Sequence, residues 1–414
     1  MRSLNKRQLG CFVLAGINAF ATSFYFNYLF FLMHSRFGFG NASNLGLAAL
    51  NGFVYMFGAW FGGRLGQRSG YFRALRLGFA VMALSLAAGT QVRTQAGHCL
   101  IMVVWSIGMC FTWPPLEALI SENHAAAGLS RMLGIYNVVW ASGSAVAYFC
   151  GGLLIHYLGM ASLFWLPAAL HLLQLFLLER IAIYEPPEAI AGPLPVSTSA
   201  PQWSQKGRTS PKAFMRMAWA ANPFAYMAIN TVIALIPTLA SRLGLSITWA
   251  GILCSIWFFA RLLAFVGLWW WPGWHYRVRW LFASYALLIA SFLLLLLVPL
   301  LWLLILTQIL FGLAVGLIYY SSLFYSMDVG ETKGDYGGVH ESAVGAGIFA
   351  GPAVGAAAIC LFPDSAYAGA WAVSALLLMG GTLIGTIRIA HRHGPELHSP
   401  LSSTGNPPTA FTRL

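Results

Sequence analysis

Long apolar stretches recur along the whole chain, separated by short segments that contain charged residues, glycine or proline. An α-helix needs about 20 apolar residues to cross a bilayer. Cutting the sequence at the polar segments leaves twelve stretches of that length, so the pattern predicts twelve transmembrane helices. Their expected limits are 9–33, 44–65, 74–92, 97–121, 131–155, 160–181, 214–240, 245–270, 278–298, 300–326, 338–362 and 366–389.

The ninth and tenth stretches are the least clearly separated. Only Val298-Pro299-Leu300 lies between two leucine-rich runs. Proline breaks a helix because it lacks the backbone N–H and its ring clashes with the preceding turn. We therefore expect a tight turn at Pro299 between two helices.

The chain divides into two matched halves. Residues 182–213 are rich in proline, serine and glycine and contain no membrane-length apolar run, which is typical of a flexible linker. Around the fifth and eleventh stretches, the segment that begins at Gly134 aligns with the segment at Gly338 and shares its glycine spacing. We expect an all-α membrane protein with two six-helix pseudo-repeat bundles, residues 1–181 and 214–389, and a disordered cytoplasmic tail, residues 390–414.

Composition places this protein in a membrane. The 414 residues are 59% hydrophobic and 8% charged, whereas soluble proteins are about 45–50% apolar and about 25% charged. The net charge of +12 is scattered among apolar stretches, so we expect no nucleic-acid partner. The six cysteines form no CxxC pair, and His340-Glu341 has no second histidine at HExxH spacing. We therefore predict no metal site, no cofactor and no enzymatic activity.

The distribution of basic residues predicts the orientation. If the N-terminus is cytoplasmic, nearly all lysines and arginines outside the stretches fall on the cytoplasmic side, and only Arg36, Arg93 and Arg242 fall on the other. Such an asymmetry is the positive-inside rule. We predict a multi-pass protein of the cell (plasma or inner) membrane with both termini in the cytoplasm.

The connection between the second and third stretches carries a recognisable motif. The chain resembles the major facilitator superfamily, whose pattern there reads G-x-x-x-D-[RK]-x-G-x-[RK]-[RK]. The family aspartate, which helps to hold the two halves together at the cytoplasmic side, is replaced by a glutamine that brings no charge, and Phe72 replaces one expected base. The resemblance implies a cytoplasmic gate at Gly63, Arg64, Gln67, Arg68, Gly70 and Arg73.

Few ionisable residues lie within the apolar stretches, and such residues are costly there and usually functional. We expect Glu117, Glu341, His340 and Arg261 to couple proton binding to conformational change. The alternative is that the two carboxylates form static ion pairs with Arg64, Arg68 or Arg131. The resemblance also implies that the gate arginines approach Glu117, Glu122 or Glu341 when the gate is shut.

In the superfamily that this chain resembles, the substrate cavity is lined by the first, fourth, seventh and tenth helices. Polar residues share one face in three of these helices, where they are spaced for a substrate path, although each could equally join two helices together. The candidates are Asn18, Thr22, Tyr25, Asn222, Tyr226, Asn230, Gln308, Tyr319 and Tyr320.

By resemblance, the function expected is secondary active transport of a small solute by alternating access, with protons as a second partner and lipid as the surroundings. We expect a monomer. A non-transporting receptor or assembly partner on the same fold is the alternative. Among transporters, efflux of a lipophilic compound and uptake of a small metabolite stay open.

Overall fold

The computed structural model describes residues 4–122, 126–182, 210–297, 300–329, 332–365 and 367–391. Within these residues, 12 helices are long and apolar enough to cross a membrane. The prediction of twelve transmembrane helices is therefore confirmed. Most of the expected linker (183–209), Pro299, and nearly all of the expected tail (392–414) lie outside the described residues.

Ten of the twelve spans are single α-helices and two consist of a pair of shorter ones. In chain order the helices are α1 (Lys6–Phe37), α2 (Asn41–Ser69), α3 (Tyr71–Gly89), α4 (Gln95–Cys110), α5 (Trp113–Ser121), α6 (Ala126–Leu158), α7 (Ser162–Ala182), α8 (Pro211–Arg242), α9 (Ile247–Cys254), α10 (Ile256–Trp270), α11 (Val278–Leu297), α12 (Leu301–Val329), α13 (Lys333–Leu361) and α14 (Ala368–Ala390).

The fourth span is broken between α4 and α5. Pro114 and Pro115 lie in the first turn of α5 and cannot donate backbone hydrogen bonds to the preceding turn. The Thr112 hydroxyl donates to Met109 O at 2.9 Å, alongside the Thr112 backbone N–H at 3.0 Å, and closes the last turn of α4. The break lies directly before Glu117, which is fully buried in α5. A similar break at Ser255 divides the eighth span into α9 and α10.

Two six-helix bundles, α1–α7 and α8–α14, form the molecule. They meet mainly along α2 against α13 and along α6 against α9 and α10. The outer surface exposes large apolar side chains, for example Leu84 at 70% and Trp270 at 87%. Lipid tails accept such side chains, which would be unfavourable on a soluble protein. The fold is thus an all-α membrane fold with a long interface between its halves.

Candidate functional site

A cavity lies between the two bundles at the middle of the spans. It contains about 800 Å³ of space unoccupied by protein atoms, part of it open to solvent. Both halves contribute to the lining, which is mostly aromatic and amide in character and includes Asn27, Asn51, Trp140, Asn230 and Trp257.

Four of the nine predicted substrate-path residues line this cavity: Thr22, Tyr226, Asn230 and Tyr319. The other five lie outside the lining and are buried between helices. These are Asn18, Tyr25, Asn222, Gln308 and Tyr320.

Contacts between helices account for three of the five residues outside the lining. Asn18 donates to the Thr112 hydroxyl at 3.2 Å, and the Tyr25 ring packs edge-on against Trp105. Tyr320 packs on Trp274, with ring centroids 5.2 Å apart. Helical spacing therefore grouped these residues correctly on a face, but that face meets a neighbouring helix.

A pair of buried carboxyl groups lies at the bundle interface. The Tyr319 hydroxyl in the second half donates to Glu117 Oε1 in the first half at 3.1 Å. Reciprocally, the Tyr55 hydroxyl in the first half donates to Glu341 Oε2 in the second half at 2.6 Å. Each half thus presents one carboxyl group to a tyrosine of the other half. Glu341, Tyr55 and Tyr319 also line the cavity.

His340 faces both carboxyl groups from α13. Its Nε2 lies 4.0 Å from Glu117 Oε1 and 3.9 Å from Glu341 Oε1. Its Nδ1 forms a 3.0 Å hydrogen bond with the Ser322 hydroxyl, which fixes the ring. One atom from each of the three residues lies within 4.8 Å of the others. Such a cluster can hold a single proton or small cation, and we define it as the carboxyl cluster.

The static ion pairs considered for the carboxylates are not formed. Within the described residues, neither Glu117 nor Glu341 has a lysine or arginine nitrogen within 4.0 Å. The gate arginines therefore do not reach Glu117 or Glu341 in this structure, and their approach to Glu122, the third carboxylate of that expectation, stays a prediction. Instead, Arg64, Arg68 and Arg73 are exposed, and the Arg64 guanidinium stacks over the Trp60 ring at 3.9 Å.

The end of the bundle that contains Gln67 is closed by direct contact between α2 and α13. We call it the Gln67 end. Gln67 Oε1 accepts a hydrogen bond from the backbone N–H of Gly334 at 3.0 Å. Thr332, the residue before α13, provides no side-chain cap. Gln67 therefore caps a helix of the other half, without the charge that an aspartate would bring.

Two glycines of the motif have structural roles at this end. At Gly63, a β-carbon would lie 2.5 Å from Gly334 O and 2.6 Å from Gly338 Cα, so only glycine permits this helix approach. Gly70 joins α2 to α3 with φ of 95°, a conformation that favours glycine.

Arg261 lies apart from the carboxyl cluster, on the cavity wall. Its guanidinium carbon lies 4.6 Å from the Trp140 ring centroid and 5.0 Å from that of Trp257. The residue is only 4% exposed. It makes no hydrogen bond or ion pair with any residue that the structure describes.

Sequence reasoning did not single out Tyr55, Asn51, Trp140 or Trp257. Asn51 and Tyr55 are four residues apart on α2 and both line the cavity, so the same spacing argument could have found them. The resemblance assigns the cavity to the first, fourth, seventh and tenth spans, so lining residues were not expected on α2. In the structure α2 forms part of the cavity wall. The two tryptophans carried no distinctive signal in a chain with 16 tryptophans.

A buried histidine lies outside the spans, in the turn between α10 and α11. The His275 ring stacks on Phe324 with centroids 4.1 Å apart and planes 7° apart. Burial removes the charged form from water and lowers the pKa of His275 to about 4. This histidine therefore affects stability in acid, separately from the cavity.

A sequence model of the Major Facilitator Superfamily matches residues 11–352. No curated protein sequence gives a significant match to the chain. The structure is similar to that of the human organic anion transporter MFSD10 (TETRAN), with a TM-score of 0.68 at 16% identity over 92% of this chain and 100% of that one.

Two further similar structures have the same fold. A bacterial homologue of the human lysosomal transporter Spinster has a TM-score of 0.66 at 14% identity, over 94% of this chain and 98% of that one. The nucleoside transporter NupG has a TM-score of 0.64 at 14% identity, over 93% and 99% of the two chains.

Proposed function

The chain belongs to the Major Facilitator Superfamily, and on that premise we propose that it is a proton-coupled secondary transporter. A small solute would bind in the central cavity and cross the membrane by alternating access. Glu117, Glu341 and His340 would carry the coupling proton. The similar structures are described as transporters of organic anions and of nucleosides, so the fold alone does not select the solute.

The observation that carries this proposal is the reciprocal pair of hydrogen bonds between the halves. Tyr55 bonds Glu341, and Tyr319 bonds Glu117. Because each bond joins opposite halves, both must break or rearrange when the halves rotate apart at the Gln67 end. The protonation of the carboxyl groups is thereby linked to the conformation of the transporter.

Electrostatic repulsion gives the coupling a direction. Two carboxylates within 4.8 Å of each other repel strongly when both are ionised and buried. One proton on the cluster removes that repulsion and favours the state closed at the Gln67 end. Loss of the proton would favour opening of this end. Glu341 lines the cavity, which offers the proton a route.

A proton suits the carboxyl cluster better than a divalent metal ion does. The cluster offers one histidine nitrogen and two carboxylate oxygens. Calcium requires six to eight oxygen ligands, and a zinc site with three protein ligands needs a water molecule in its fourth position. The tyrosine hydroxyls occupy further carboxylate lone pairs as donors.

The test is transport in proteoliposomes with an imposed pH gradient, a panel of metabolites and drugs, and an internal pH-sensitive dye. We expect a transported solute to move protons with it. Glu341→Gln and Glu117→Gln should abolish the dye response to that solute. The matched control is Glu179→Gln, at an exposed carboxylate that pairs with Arg76 at 2.6 Å outside the cavity.

The remaining outcomes decide between the alternatives. Solute-dependent proton movement that persists in both glutamine variants would overturn the assigned coupling site. Uptake driven by a sodium gradient but not by a pH gradient would overturn the choice of ion. If no gradient drives any solute of the panel, a receptor on the same fold becomes the better account.

We assign the Gln67 end to the cytoplasm of a cell-membrane protein, because the basic residues concentrate there. Both termini and residues 182–213 would then be cytoplasmic. Cysteines introduced at Ser197 and Ser402 in the intact cell should both resist a membrane-impermeant maleimide until the membrane is permeabilised. Labelling of either one before permeabilisation would contradict the orientation.

A further inference from the structure

Arg261 is a buried cation without a counter-ion. It lies on α10 at the cavity wall, is 4% exposed, and has no acidic partner among the residues that the structure describes. The Nε–H group is buried and donates to no acceptor among the residues that the structure describes. Removing a guanidinium from water without pairing it is unfavourable, so the arrangement needs an explanation.

Aromatic contacts explain part of it. The guanidinium carbon lies 4.6 Å from the ring centroid of Trp140, 5.0 Å from Trp257 and 5.1 Å from Phe258. Cation–π attraction stabilises a desolvated arginine but offsets only a part of its desolvation cost. These rings also fix the orientation of the side chain. The guanidinium is therefore held in place beside the cavity with its hydrogen-bonding capacity unused.

The rest of the lining limits the charge and shape of a ligand. Among the residues that line the cavity, the ones with a charged type of side chain are Arg261 and Glu341. One cation suits one negative charge. Trp140 and Tyr319 pack edge to face with centroids 5.1 Å apart, and Trp113 lies beside Trp140. Flat aromatic walls favour a planar apolar body.

We infer that Arg261 binds the anionic group of a planar organic monoanion, such as an aromatic carboxylate, whose ring lies against Trp140 and Trp257. This inference rests on the proposed transport function and specifies its substrate class. Arginine binds carboxylates through paired N–H donors in a fixed fork. A neutral amide of the same shape lacks the charge that the guanidinium requires.

The experiment measures binding in detergent, independently of transport. Purified protein is titrated by calorimetry with 2-naphthoate and with the neutral isostere 2-naphthamide. We expect 2-naphthoate to bind about tenfold or more tightly, as expected for a charge-assisted hydrogen bond in a buried site. Arg261→Gln should remove this preference. The control Arg242→Gln, at an exposed arginine at the end of α8, should keep it.

Arg261→Gln could also change folding, so its melting temperature and gel-filtration profile are compared with those of the wild type. Arg261→Lys is a second test variant, because lysine keeps the positive charge but lacks the paired N–H donors of the guanidinium. We expect this variant to bind 2-naphthoate with an affinity between those of the wild type and Arg261→Gln. Equal binding of the two probes by the wild type, or no binding of either, overturns the inference. Proton-coupled transport of another solute in that case would leave the proposed function standing.

Discussion

The Tyr55 hydroxyl in α2 lies 2.6 Å from Glu341 Oε2 in α13, although the two residues are 286 positions apart in the chain. This bond joins the two bundles, and both side chains are almost entirely buried, Tyr55 at 1% and Glu341 at 5% exposure. It places a hydroxyl donor on a carboxyl group that also lines the cavity. The interface and the candidate substrate site therefore share one residue.

Tyr55→Phe should slow proton-driven uptake about tenfold, because Glu341 loses its cross-bundle donor while the ring keeps its packing. The measurement is initial uptake rate in proteoliposomes at matched protein content. Tyr157→Phe is the control, since Tyr157 is 76% exposed. Unchanged uptake in Tyr55→Phe would show that this bond takes no part in the transport cycle.

Gly63→Ala should prevent closure at the Gln67 end. The added β-carbon would lie 2.5 Å from Gly334 O and 2.6 Å from Gly338 Cα, and backbone atoms cannot give way as a flexible side chain can. We expect uptake to be lost while membrane insertion is kept. Gly46→Ala in the same helix meets nothing within 4 Å and should transport normally. Normal uptake by Gly63→Ala would rule out this contact as a gate.

Gln67→Asp should strengthen the cap of α13. A carboxylate near a helix N-terminus is stabilising by about 0.3–1 kcal/mol through the helix dipole. The shorter side chain must still reach Gly334, whose N–H lies 3.0 Å from the glutamine oxygen. We expect a higher melting temperature and slower turnover, whereas Gln67→Ala should lower the melting temperature. The exposed Gln95 at the other end provides a control, Gln95→Ala. Identical melting curves for all three variants would contradict the capping role.

Acid should destabilise the protein partly through His275. Its pKa is lowered to about 4 by burial, so below the usual value of about 6.5 the unfolded chain binds a proton that the folded chain does not. The stabilisation present at pH 7 is lost progressively between pH 6.5 and pH 4, and the loss at pH 5 is about 2 kcal/mol.

The measurement compares melting temperatures at pH 7 and pH 5. His275→Phe should reduce the acid-induced drop, because phenylalanine preserves the stack on Phe324 without titrating. His156→Phe, at an exposed position, should leave the drop unchanged. An equal drop in wild type and His275→Phe would show that this histidine does not set the acid sensitivity.

Acid should also tighten binding of 2-naphthoate, because an ionised Glu341 in the same cavity would repel an anion. Glu341→Gln should remove the pH dependence and keep the binding, and Glu179→Gln should keep both. If affinity falls on acidification, the anion and the proton do not bind together. The titratable groups that face Glu341 come from seven helices: Glu117 on α5, His340 on α13, Tyr55 on α2, Tyr226 on α8, Tyr136 on α6, Tyr319 on α12 and Cys110 on α4.

The sequence alone was sufficient to predict the twelve spans and the all-α class. In lipid each backbone polar group must be satisfied within its own helix, so length and hydropathy determine a span locally. The resemblance also located the motif around Gly63 and Gln67, because its glycines and polar residues are close together in the chain.

The tertiary structure alone decided which faces meet. Helical spacing placed Thr22 and Asn18 on one face of α1, yet Thr22 lines the cavity and Asn18 bonds Thr112. The rotation of each helix about its axis is set by packing against its neighbours, which no local pattern encodes. For the same reason, only the fold showed that Glu341 meets Tyr55 and that Arg261 meets no acid among the described residues.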